Sequence, residues 1–384
     1  MSYPRAFART EFERRAAAVT ARMRDTGLDA LIAYSVRNSQ GPVAYLGGYE
    51  PDLGLHDVSY FLLIPGERPD AVLVTNGFWD DPASRTWVDD VVISYKFESS
   101  LPELLPSTAK RIGVAGFDYL PAPVYLGLKA AHRQCEIVDA TRLVKEVAQI
   151  KSPAEIEVIR TCMSINDHGG RAFLEGVHEG ANERSLQVAV DQALLQAGAD
   201  GLYYNPQIYS GASVAHGMGM RTDRILQAGD QVQVDCGAMY RGYRGDLSRV
   251  TTVGLVAPEV RHIMEATALV YEAMVDSLRP GMAAADVARV GIRMAEANGL
   301  GDCLYRPTPD HPPGMLGHGI GCWVHELPDI QLDSTDVIQT GMVVVFETIL
   351  GRPGTGGAKI EDAVLVTDGA PERLSSIPVR TWPL

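Results

Sequence analysis

Val232-Gln233-Val234-Asp235-Cys236-Gly237 and Asp246-Leu247-Ser248-Arg249-Val250 are two strand-like runs that flank Met239-Tyr240-Arg241-Gly242. Read as one hairpin centred between Tyr240 and Arg241, they place Asp235 and Asp246 at equal distances from the turn. The two carboxylates then face each other on one side of the hairpin, with Cβ atoms about 5 Å apart. Like charges in that position are unfavourable, so a positive group must lie between them or one must be protonated.

The C-terminal end repeats the arrangement. Glu347 lies in Met342-Val343-Val344-Val345-Phe346-Glu347-Thr348, and Glu361 in Lys359-Ile360-Glu361-Asp362-Ala363-Val364-Leu365-Val366. The loop Gly351-Arg352-Pro353-Gly354-Thr355-Gly356-Gly357 has Gly354 at its midpoint, which again sets the two acids equidistant from the turn. A single such acid reads most simply as a residue on the solvent face. Four, in two symmetric pairs within Val/Ile-rich strands, are costly to bury and are expected together only around metal.

Two histidines lie in the Gly-rich, apolar stretch Gly317-His318-Gly319-Ile320-Gly321-Cys322-Trp323-Val324-His325-Glu326-Leu327-Pro328. Glycines beside a histidine allow close backbone approach to a ligand or ion. A third, His216, lies in Ser210-Gly211-Ala212-Ser213-Val214-Ala215-His216-Gly217. Each alone is more often a satisfied core or surface histidine than a ligand. His56, His132, His168, His178, His262 and His311 are left in that class.

Around these segments the chain alternates helices and strands. Phe12, Ala16, Val19 and Met23 carry helical spacing over 9–25, which Gly27 stops. Apolar runs at Ala30–Tyr34, Val58–Ile64, Ala71–Val74, Val91–Ile93 and Ile112–Val114 read as strands, with helices at 100–107 and 122–131, so the first third is a small α/β domain with a mixed sheet. After a helical stretch over 140–149, Ser152, Pro153 and Glu155 form a capping-box pattern for a helix reaching about residue 174. The boundary is drawn there, giving domains 1–148 and 149–384. The second domain reads as helices at 183–197, 256–277 and 284–298, with strands at 231–236, 245–253, 341–350 and 358–366.

The chain has 384 residues, enough for two domains or three. Its net charge of −14 argues against a nucleic-acid groove and against an anionic membrane surface. The N-terminus does not read as a secretory signal, and no apolar run approaches the ~20 residues of a membrane span. Five scattered cysteines without a CxxC pattern fit a reducing cytoplasm.

The order Asp235, Asp246, His318, Glu347, Glu361, with its Gly-His-Gly-Ile-Gly and Ile-Glu-Asp contexts, resembles the metallopeptidase family with the pita-bread fold. That family includes methionine aminopeptidase, aminopeptidase P, prolidase and the metal-free creatinase. Lys151-Ser152-Pro153-Ala154-Glu155-Ile156 is similar to the usual entry to its catalytic domain, and the resemblance covers the whole chain. It implies an α/β (α+β) architecture, with a creatinase-type N-terminal domain and a pita-bread catalytic domain. It also implies two divalent metal ions held by Asp235, Asp246, His318, Glu347 and Glu361, with Asp246 and Glu361 bridging. Four carboxylates and one imidazole favour Mn²⁺, with Co²⁺, Fe²⁺ or Zn²⁺ as alternatives. A hydroxide bridging the ions would attack a carbonyl carbon, Glu347 would carry its proton, and His216 and His325 would contact substrate and stabilise the transition state.

The implied activity is hydrolysis of an amide C–N bond in a small peptide, as by an Xaa-Pro dipeptidase or aminopeptidase, in a cytoplasmic homodimer. Two departures from the family pattern bear on substrate: Thr348-Ile349 replaces Pro-Gly after the first glutamate, and Lys359 replaces the Arg of Arg-Ile-Glu. They keep open a relative that acts on a non-peptide metabolite through the same site. A non-catalytic binding protein is the third reading, and the complete ligand set speaks against it. Loops around 203–224 and 305–316 would set the substrate. Trp323 is read as a pocket wall, and Trp79 and Trp87 as core or as a lid over a partner's site.

Overall fold

The computed structural model describes residues 7–36, 41–49, 58–66, 70–77, 81–306 and 313–383. They divide into two compact units, Met1–Ala148 and Gln149–Leu384.

The first unit runs α1 (Arg9–Thr26), β1 (Ala30–Val36), α2 (Gly41–Gly47), β2 (Val58–Ile64), β3 (Asp70–Thr75), α3 (Pro82–Arg85), β4 (Asp90–Ile93), α4 (Phe97–Leu104), β5 (Arg111–Ala115), α5 (Ala122–Ala131), β6 (Glu136–Asp139) and α6 (Thr141–Ala148). Its described strands form a mixed sheet in the order β4-β3-β2-β1-β5-β6. Helix α1 ends at Gly27, whose left-handed φ of 69° closes the last turn. Phe12, Ala16, Val19 and Met23 are its buried stripe, as their spacing predicts. Trp87 belongs to this core: it is buried, donates from Nε1 to the Leu46 carbonyl at 2.7 Å and stacks parallel to Phe12. Trp79 and His56 lie outside the described residues.

The second unit opens with the predicted capping box. Ser152 Oγ accepts the Glu155 N–H at 3.3 Å, and Glu155 Oε2 accepts the Ser152 N–H at 2.9 Å. Then follow α7 (Pro153–Gly176), α8 (Glu183–Gln196), β7 (Gly201–Leu202), β8 (Gln207–Ser210), β9 (Gln231–Cys236), β10 (Ala238–Tyr240), β11 (Tyr243–Arg244) and β12 (Leu247–Thr252). The chain continues through α9 (Pro258–Ser277), α10 (Ala284–Ala297), β13 (Gly317–Gly319), β14 (Glu326–Asp329), β15 (Val343–Arg352), β16 (Gly356–Leu365) and β17 (Glu372–Arg373). The large sheet has the order β14-β13-β15-β16-β12-β9-β8, with β17 also on β16.

Side-chain alternation gives this sheet two different faces. Val234 and Cys236 share a core with Cys162, Phe173 and Val190 of α7 and α8. Phe346, Ile360 and Val364 share one with Val270, Met274 and Val287 of α9 and α10. Beneath that face lies the fully buried pair Arg249–Asp362 at 2.8 Å. The opposite face takes the intervening residues, Asp235, Ser248, Glu361, Lys359 and Glu347. No described helix is long and apolar enough to cross a membrane.

The first hairpin differs from its predicted register. Arg241 and Gly242 are the two turn residues, with φ of 49° and 81°, the handedness that two-residue hairpin turns favour. Tyr240 therefore pairs with Tyr243, and further out Asp235 pairs with Ser248. A turn centre one residue later shifts every pairing by two, so Asp235 and Asp246 are not directly opposite. They keep the same face, because the side-chain period is two. The second hairpin follows its predicted register, with Glu347 opposite Glu361.

Candidate metal centre

Strand register assembles the site. Asp235 pairs with Ser248, Ser248 with Glu361, and Glu361 with Glu347, so four adjacent strands contribute one residue each to a single row. On the next strand, His318 pairs with Val345, two residues before Glu347 and on the same face. Asp246 stands just before β12, where the hairpin is pinned by Asn166 of α7. The Asn166 amide accepts the Ala238 N–H at 2.8 Å and donates to the Cys236 carbonyl at 3.4 Å. Glycines are needed at this bend: a Cβ on Gly245 would lie 2.7 Å from Asn166, and one on Gly237 would lie 2.2 Å from the Tyr203 ring.

Asp235, Asp246, His318, Glu347 and Glu361 are all buried. His318 Nε2 is 3.8 Å from Asp246 and 3.7 Å from Glu361. Ligand atoms of Asp246, His318 and Glu361 lie within 4.8 Å of one another, a spacing that could hold an ion. The His318 Nδ1 atom is 3.0 Å from its acceptor, the Gly319 carbonyl, so the proton is assigned there. That leaves the Nε2 lone pair aimed at the acids, buried and with no hydrogen-bond partner. A ring fixed through Nδ1 with a bare Nε2 is the usual state of a metal-binding imidazole.

The electrostatics show how much negative charge is buried around it. Burial pushes the Asp246 carboxyl well above its ordinary value, and Glu361 and Asp235 add to it against the opposing Lys359. Burial pulls His318 down, but Glu361 and Glu347 outweigh it and leave the imidazole raised. The one cation lining the cavity among the described residues is Lys359, with Nζ 2.7 Å from Asp235, 2.8 Å from Glu347 and 3.2 Å from Glu361. Burial disfavours its charge, but the four acids outweigh that and hold its pKa well above the ordinary lysine value. One ammonium cannot neutralise four carboxylates. The donor set therefore fits divalent ions: hard oxygens, one bare imidazole nitrogen and an excess of buried negative charge.

The row opens into a cavity of about 270 Å³, walled by Tyr203, Tyr204, Gln207, Met218, Val324 and His325 as well as the acids. The His325 ring centroid is 4.2 Å from that of His318. His216 is not among the lining residues. It is exposed at the end of the short 3₁₀ helix Gly211–His216, two residues before Met218. That helix rests on the glycines of the second hairpin, whose Gly351 and Gly357 face the Ala215 and Val214 carbonyls where a Cβ would not fit. Trp323 is not among the lining residues either; it is buried, and the next two residues, Val324 and His325, line the cavity. Residues 307–312, including His311 and much of the expected specificity loop 305–316, lie outside the described residues.

Sequence reasoning missed several contributors. Tyr204 donates its hydroxyl to the Asp235 carboxylate, and Tyr203 donates to the Gly245 carbonyl at 3.2 Å. Ser248 donates to Glu361 at 2.8 Å. Ser248 had a signal, since it lies two residues after Asp246 on a strand and shares its face. The tyrosines sit in a stretch with no period.

Two family profiles match the chain. The Creatinase/Prolidase N-terminal domain covers residues 15–150, and metallopeptidase family M24 covers 157–368. An Xaa-Pro dipeptidase of Pyrococcus furiosus is 29% identical over 284 residues, which is 74% of this chain and 78% of that protein. The crystal structure of the prolidase from Pyrococcus horikoshii OT3 superposes with a TM-score of 0.83 at 26% identity, covering 95% of this chain and 99% of that one. The prolidase from Pyrococcus furiosus gives 0.80 at 26% identity, over 94% and 99%. With its catalytic profile spanning more than half of its length, the chain belongs to metallopeptidase family M24, and it is a metallohydrolase.

Proposed function

We propose that the protein is a dinuclear metallopeptidase that hydrolyses the amide bond of small Xaa-Pro peptides. The observation that carries this reading is the buried row Asp235-Ser248-Glu361-Glu347, with the bare Nε2 of His318 beside it. Asp235, Asp246, His318, Glu347 and Glu361 would hold the ions, with Mn²⁺ the first candidate. Two divalent ions held there would supply Lewis acidity and, by lowering the pKa of water, a nucleophile at neutral pH.

The remaining work falls to the chain's own residues. Glu347, at the edge of the row and in the cavity wall, takes the proton from the attacking water and delivers it to the leaving nitrogen. His325 donates to the oxygen that gains charge as the carbonyl is attacked. His216, at the end of the short helix that leads to Met218, contacts the substrate. Tyr204 and Lys359 fix Asp235 from two sides, and Ser248 fixes Glu361. Met218, Val324 and the two tyrosine rings give the substrate an apolar wall and exclude water.

Support for the proline preference comes from the names of the similar proteins, Xaa-Pro dipeptidase and prolidase. A second reading, a non-peptide amide as substrate, is favoured by Thr348-Ile349 and Lys359 where the family pattern has Pro-Gly and Arg. The five cysteines, all free and buried, fit a reducing cytoplasm. The homodimer implied by the family resemblance is measured directly by light scattering.

A panel of Xaa-Pro dipeptides and Xaa-Pro-Yaa tripeptides, offered to Mn²⁺-reconstituted protein, tests the reading. Turnover is expected in the wild type and not in Asp246→Asn. The preferred length separates dipeptidase from aminopeptidase. Hydrolysis of non-proline amides alone would overturn the proline preference.

A further inference from the structure

Lys151 stands two residues ahead of α7, in a backbone that is fixed on both sides. Its N–H donates to the Gly341 carbonyl at 2.9 Å, and the Ser152 capping box begins at the next residue. Its ammonium lies 2.7 Å from Glu326 Oε2, and both side chains are 1% exposed. The ammonium also donates to the Gln149 carbonyl at 3.3 Å. The other carboxylate oxygen, Glu326 Oε1, accepts the Trp323 N–H at 3.2 Å.

Glu326 is the first residue of β14, and His318 lies in β13. The Glu326 carboxylate therefore fills the inside of the turn 320–325 that joins the two strands. It fits only because position 321 has no side chain: a Cβ on Gly321 would lie 2.5 and 2.7 Å from its oxygens. From the other side Arg244 holds the same turn. Its N–H donates to the Gly321 carbonyl at 2.9 Å, and its guanidinium donates to the Cys322 carbonyl. Val324 and His325, on the same turn, line the cavity.

We infer that Lys151 is a positioning residue which, through Glu326, sets the 320–325 turn and so places His325 beside His318. A buried ion pair contributes little net stability over an apolar pair of the same volume, so stability alone does not account for it. Orientation does: the carboxylate offers one oxygen to the Lys151 ammonium and the other to the Trp323 N–H, so the ion pair fixes the direction in which the second oxygen faces the turn. The inference rests on the role given to His325 under the proposed function.

Ring-labelled histidine NMR on the full-length protein loaded with diamagnetic Zn²⁺, and steady-state kinetics on the Mn²⁺-loaded protein, test it. The His325 ring signal is assigned by its loss in His325→Ala. In Lys151→Met that signal shifts, and kcat falls about 10- to 100-fold, the scale of a small misplacement at a reacting centre. KM changes far less than kcat, Lys151→Arg recovers most of the loss, and Lys151→Met adds nothing to His325→Ala. An unmoved His325 signal in folded Lys151→Met overturns the inference, as do losses that multiply in the double variant. If Lys151→Met does not fold, Glu326→Gln, which removes the charge and keeps an acceptor, carries the same expectations. If the wild type cleaves no peptide, the proposed function fails, and the His325 signal still decides the role of Lys151.

Discussion

Lys359 Nζ lies 2.7 Å from the Asp235 carboxylate, with both side chains buried, and the same ammonium reaches Glu347 and Glu361. A cation thus sits among the acids that also fit divalent ions. Without metal it is their nearest countercharge. Removing it leaves like charges buried together, which costs about 3–5 kcal/mol. In chelator-treated protein, Lys359→Met should lower unfolding stability by about that amount, read from urea melts. Added Mn²⁺ should recover the larger part. Equal midpoints for the two chelated proteins would contradict this.

Gly217 has φ of 69°, and a Cβ there would meet Ile349 Cγ2 at 2.2 Å. Gly217→Ala combines backbone strain with a core clash, about 2–4 kcal/mol together. It also moves the link between His216 and Met218. Turnover should fall further than thermal stability alone explains. Gly254→Ala is the control: its φ is 75° and no atom lies within 4 Å of the added Cβ, so it carries only strain.

The capping box at α7 satisfies one N–H with the Ser152 hydroxyl and another with Glu155. Ser152→Ala should cost about 1 kcal/mol, and Ser152→Asp should largely retain stability. Calorimetric melting distinguishes them.

In the first unit, burial raises the Glu11 pKa, but hydrogen bonds and charge from Arg14 and Arg15 outweigh this and bring it from 4.5 to about 2. The folded value is the depressed one. Its stabilising effect is therefore fully present above pH 4.5 and is lost as pH falls from 4.5 towards 2. The difference in melting temperature between wild type and Glu11→Gln should shrink over that interval and stay flat above pH 5. Since Glu11 is partly exposed, salt should reduce the difference as well.

Much of the site was legible because strand period and turn symmetry constrain it. Glu347 and Glu361 could be set opposite each other from Gly354 alone. Asp235 and Asp246 were placed on the correct face and two residues out of register, because nothing local marks Arg241 as the residue that adopts positive φ. The capping box at Ser152 was legible because its signals lie within four residues. Strand β13 has only three residues, too few for a period, and α2 is buried on every side, so neither has an amphipathic pattern. Lys151–Glu326 spans 175 positions and leaves no local trace, as does Tyr204–Asp235. Long-range polar pairs become visible only when the sheet is assembled.

The most direct test of the proposed two-ion centre is metal stoichiometry by mass spectrometry on protein reconstituted with Mn²⁺ and freed of loose ions. The wild type should retain two ions per chain, with Asp246→Asn and His318→Ala retaining fewer and losing peptide hydrolysis in step. One ion or none per active chain, or full turnover in Asp246→Asn, would contradict the account.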